Sequence, residues 1–97
     1  MSRAYYAMFQ AARTALASAG IDHPWWSHGA LHAAFATELI RRRKLYPLSF
    51  VHYLTEAMEL RHTADYSDVQ LSARRATRVV RAATEFFHRV QEVIGHA

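Results

Sequence analysis

Residues 72–95 read SARRATRVVRAATEFFHRVQEVIG, and this stretch decides the fold. Ala76, Val79, Val80, Ala83, Phe86, Phe87, Val90, Val93 and Ile94 recur at alternating three- and four-residue steps. Arg74, Arg78, Arg81, Glu85 and Glu92 take the opposite side. That is the period of an amphipathic helix and not of a strand. Ser72 is placed to cap its start and Gly95 to end it. Such a helix has an apolar face that other elements must cover, so the remaining sequence is searched for partners.

Three more helices emerge between clustered breakers. The first runs from about Ser2 to Ala19, with Tyr5, Phe9, Ala12, Leu16 and Ala19 on one face and Gly20 as a left-handed stop. After a loop with Pro24, Trp25 and Trp26, the second starts near a Ser27 cap. It carries Leu31, Ala34, Phe35 and Leu39 inward and ends in Arg41-Arg42-Arg43-Lys44, a basic run suited to the negative end of a helix dipole. The third follows Pro47, places Phe50, Leu54, Ala57 and Met58 on one stripe, and breaks near Asp65-Tyr66-Ser67-Asp68. Nothing alternates with period two, so the expectation is all-α: an up-and-down four-helix bundle forming one domain over residues 1–97.

Composition narrows the class. The chain has 97 residues, 52% of them hydrophobic, which suits a packed core of modest margin that oligomerisation supplements. Cysteine is absent, which removes disulfide frameworks and thiolate metal sites and makes a cytoplasmic location the simplest expectation. Charged residues interrupt every apolar segment, so no membrane span is expected. Twelve basic residues against eight acidic ones leave a formal charge of +4, which favours a polyanionic or acidic partner.

Arg61 is the most informative residue. The stripe of the third helix, continued by one step beyond Met58, lands on it in the middle of an apolar face. An unpaired buried charge costs several kcal/mol on the order of magnitude seen in proteins, so the guanidinium needs a carboxylate, a polar groove or a ligand. Asp65, four residues on, is placed for a two-pronged pair, and Tyr66 adds a hydroxyl and a ring. The plainer reading is a snorkelling arginine tied to Asp65; the functional one is a phosphate binder. His28 and His32 stand four apart, a metal-ligand spacing, but no nearby carboxylate completes a shell, so they read as a helix start and a surface histidine. Trp25 and Trp26 read as a plug at one bundle end or a dimer contact, ahead of a platform for exposed bases.

Ser2-Arg3-Ala4-Tyr5-Tyr6-Ala7-Met8-Phe9, Ser27-His28-Gly29-Ala30-Leu31 and Arg61 followed by Asp65-Tyr66 together resemble the prokaryotic HEPN domains. The likeness is to a branch with a Ser-Arg-x-Tyr-Tyr helix and an Arg-x-x-x-Asp-Tyr ending. It implies a helical bundle that dimerises, is often encoded beside a small nucleotidyltransferase as toxin and antitoxin, and binds or cuts RNA. On that resemblance Arg61, Asp65 and Tyr66 line a cleft between subunits as the catalytic candidates, with Arg3, Tyr6 and His28 in support and neither cofactor nor metal required. The alternative is a non-catalytic dimerising module that docks the nucleotidyltransferase.

Two departures follow. RNA-cutting members have an arginine, four to six residues, then a histidine, whereas Arg61 is followed at that spacing by Tyr66, Ser67 and Asp68. His62 is adjacent to Arg61 and turned away from it on a helix. Arg81 with His88, and Arg89 with His96, match by count, but they are read as chance pairs, the first on a solvent face without an organised pocket. Relatives also carry a helix before the Ser-Arg-x-Tyr-Tyr segment, so a bundle lacking that first helix, with an apolar groove for a partner, is expected.

Overall fold

The computed structural model describes residues 3–62 and 69–95, without the side chains of residues 60–62 and 69–72. The expected break at 65–68, the Ser72 hydroxyl, the Arg61 guanidinium, Asp65 and Tyr66 therefore lie outside the described residues.

Four helical rods form, and no strand occurs among the described residues. α1 spans Arg3–Ser18, α2 spans His28–Ala34 and continues without a break as a π-helix over Phe35–Arg42, α3 spans Ser49–His62, and α4 spans Val69–Gly95. α1 lies chiefly against α4, α3 packs on both, and α2 crosses α1. At 1.5 Å per residue α4 is about 40 Å long, and it sets the 43 Å long axis of the molecule.

Local chemistry explains the ends. Gly20 adopts φ 84°, Ile21 N–H donates to Leu16 O (2.9 Å) and Gly20 N–H to Ala17 O (2.9 Å), so the last carbonyls of α1 are satisfied by a left-handed turn. Ser27 caps α2 as expected, its Oγ accepting from Ala30 N–H at 3.1 Å. The π-helical stretch closes with Leu45 N–H on Leu39 O (2.9 Å), and Lys44 takes the left-handed φ of 53° that glycine adopts more cheaply.

The buried side chains of all four rods join in one cluster. Its centre is aromatic: Phe86 stacks on Phe50 (4.6 Å between ring centroids) and on Phe35 (5.3 Å), all three essentially inaccessible to water. The described part of α4 starts at Val69, a turn before Ser72. The expected seam of α4 also narrows. Val79, Ala82, Phe86 and Val90 are buried, whereas Ala76, Val80 and Phe87 are exposed, because the apolar arc is wider than the strip that its neighbours cover. The tryptophan pair divides: Trp26 packs on the core with its ring edge-on to His23 (4.6 Å), while Trp25 is 90% exposed and plugs nothing.

Candidate functional site

Tyr5 lies on the inward face of α1, 1% exposed, so its hydroxyl must find partners inside the protein. α2 supplies them. The Ser27 cap fixes the start of α2, which puts His28 in its first turn and His32 one turn later on the same side. The Tyr5 hydroxyl lies 2.6 Å from His28 Nδ1 and 3.1 Å from His32 Nε2, and Met58 Sδ of α3 is 3.8 Å away. One hydroxyl has a single proton and two lone pairs. It therefore donates to one neighbour while accepting an N–H from an imidazole, and the three helices meet at one polar point. Phe9 closes the floor, edge-on to His28 at 5.3 Å. His28 is exposed and His32 half-buried. Burial, and secondarily the charge of His28, holds His32 below its usual pKa, which keeps it neutral more readily than a free imidazole.

Arg61 lies within α3, three residues beyond Met58, so helical geometry carries it one turn from this point. Arg3 is exposed at the start of α1. Tyr6, one residue on from Tyr5, turns to another side: it is 53% exposed and lines an apolar groove of about 640 Å³ between α1 and α4, with Phe87, Val90 and Ile94. Of the expected residues the structure thus joins His28 to Tyr5 and separates Tyr6 from both.

Arg81 and His88 are exposed on α4, as expected, but the face on which they stand is concave. Both line a groove of about 850 Å³ between α4 and the start of α3, with Lys44, Tyr46, Phe50 and Arg89. Its two carboxylates are engaged: Glu85 accepts from Tyr53 Oη at 2.8 Å, and Glu92 pairs with Arg89 at 3.1 Å. The hydrogen bond to Glu85 raises the Tyr53 pKa, and burial raises that of Tyr46. An isolated reading of α4 misses this groove because Lys44 to Phe50 form its other wall.

The family model for the HEPN domain matches residues 1–93. The chain belongs to the HEPN family. Neither the curated proteins nor the solved structures provide a match. The all-helical architecture is the one expected of a HEPN bundle. Among the described residues no helix is long and apolar enough to cross a membrane, and no three His, Cys, Asp or Glu side chains gather as a metal site. The features of this HEPN domain that sequence reasoning missed are Tyr5, His32 and Met58. The signal for them was a tyrosine hydroxyl on an apolar stripe, which requires a buried partner, and a pair of histidines at one-turn spacing.

Proposed function

We propose that this HEPN domain is an RNA-binding component of a toxin–antitoxin or related defence system, and that RNA meets it at the corner of α1, α2 and α3. The observation that carries the reading is the Tyr5 hydroxyl held between His28 Nδ1 and His32 Nε2, one helical turn along α3 from Arg61. An arginine presents a fork of donors to a phosphate. An imidazole whose ring is fixed by a second group is suited to proton transfer. Where RNA-cutting relatives follow the arginine with a histidine, α2 offers imidazoles to the corner here. This supports cleavage as well as binding: the 2′-oxygen bonds to phosphorus, the P–O5′ bond breaks, His28 takes the 2′ proton, and water protonates the departing oxygen. Asp65 and Tyr66 are assigned to orient Arg61, and Arg3 to a flanking phosphate.

The test is incubation of purified protein with single-stranded RNA in the absence of added metal. Binding and cutting are expected, with Arg61→Ala abolishing cutting while the thermal midpoint barely moves, and His28→Ala abolishing cutting at some cost in stability, since it strips a partner from the Tyr5 hydroxyl. RNA that binds but stays intact removes cleavage; RNA that does not bind removes the whole reading.

The apolar groove at Tyr6 and Phe87, both about half-exposed, favours a second reading. In it the domain is a dimerising module that docks a nucleotidyltransferase, and Arg61 only secures the end of α3. Co-purification of such a subunit, lost in Tyr6→Lys with Phe87→Lys while Arg61→Ala lowers stability, is its signature.

A further inference from the structure

We propose that the groove between α4 and the start of α3 is a second phosphate-binding site, which takes the backbone of a single-stranded RNA held elsewhere at the α1–α2–α3 corner. The inference rests on the RNA-binding reading above and adds a site to it.

Charge balance in the groove is the first support. With Glu92 paired to Arg89, the cations Lys44 and Arg81 and the imidazole of His88 have no hydrogen-bond or ion-pair partner among the described residues. Lys44, Arg81 and Arg89 thus outnumber Glu85 and Glu92 around one concavity of about 850 Å³, which leaves it a small positive excess beside the His88 imidazole. An exposed cation needs no partner in water, but a cluster around a groove raises the local concentration of an anion.

Backbone conformation is the second. Lys44 sits at φ 53°, where glycine meets no steric penalty and a side chain does. A strained residue at a groove mouth points to a function for its side chain. Here that side chain is the only lysine of the chain.

Spacing is the third. Arg74, Arg81 and His88 stand seven apart and so share one side of α4, about 10 Å per step. Arg74 and Arg81 line a shallow concavity with Arg78, whose charge is taken by Glu56 at 2.6 Å. Along α3, Phe50 of the groove and Met58 of the corner lie about 12 Å apart. An axial separation of that size is within the reach of a few nucleotides.

Fluorescence anisotropy of a labelled single-stranded RNA dodecamer against salt concentration tests this, with wild type, Arg61→Ala, Lys44→Gly, Arg81→Gln and the Lys44→Gly/Arg81→Gln double variant. The double variant is expected to bind at least tenfold more weakly, its slope of log K against log salt reduced by about 1.4, at roughly 0.7 per lost phosphate contact. Lys44→Gly should leave the thermal midpoint unchanged or raised, since glycine accepts the turn. Wild-type affinity and slope in the double variant, with Arg61→Ala still impaired, overturn the second site alone. Failure of the wild type to bind RNA overturns the RNA reading and this site with it.

Discussion

Replacing Tyr5 by phenylalanine keeps the ring that fills the α1–α2–α3 contact and removes only its hydroxyl. That oxygen has two imidazole partners, at 2.6 and 3.1 Å, and a thioether at 3.8 Å. A hydrogen bond contributes about 0.5–1.5 kcal/mol net, and a buried group stripped of its partner adds its own desolvation cost. His28 is exposed and regains water, so most of the cost falls on half-buried His32. Together these give a loss of about 2 kcal/mol. In a domain of this size that lowers the thermal midpoint by roughly 8–16 °C. Urea unfolding followed by far-ultraviolet circular dichroism should show a lower midpoint concentration with an unchanged slope, because the surface exposed on unfolding is the same. A Tyr5→Phe variant as stable as wild type, within about 0.3 kcal/mol, would refute the view that the hydroxyl ties the three helices together.

Other perturbations follow from the same geometry. His32 is held below its usual pKa by burial and by His28, so the unfolded chain binds its proton more readily than the native one; stability is full above the ordinary histidine range and falls as pH drops through it. Urea melts at about pH 7.5 and about pH 5.5 should show that fall, and His32→Gln should flatten it. Phe86→Ala removes the ring stacked between Phe35 and Phe50 and should cost about 3–5 kcal/mol, enough to leave a large unfolded fraction by circular dichroism at 37 °C. At Gly20 a Cβ meets no atom within 4 Å, yet φ is 84°, so Gly20→Ala should cost about 1 kcal/mol from backbone conformation alone, read as a midpoint shift of roughly 4–8 °C.

Much of the fold was legible because its determinants are local. Gly20 and Ser27 act through groups within five residues of themselves, and Leu31, Phe35 and Leu39 share a face by helical period alone. The width of a contact is not local: Val80 and Phe87 belong to the apolar arc of α4, and only the placement of α1 shows that the neighbouring helices leave them uncovered. The π-helical winding of Phe35–Arg42 likewise left no mark in an apolar pattern that suits an α-helix equally well. The corner site was half visible. His28 and His32 were conspicuous by spacing, but the group they serve comes from α1, 23 and 27 residues away, and no periodicity connects them. The groove at Arg81 and His88 escapes a reading of α4 for the same reason, since its second wall, from Lys44 to Phe50, is distant in sequence.

The most direct test of the central claim is nuclear magnetic resonance of the histidine imidazoles during titration with single-stranded RNA. Contact at the corner predicts that the ring signals of His28 and His32 shift together, in step with the bound fraction, and that Arg61→Ala suppresses the shift. Imidazole signals at the corner that stay fixed while RNA demonstrably binds elsewhere would contradict it.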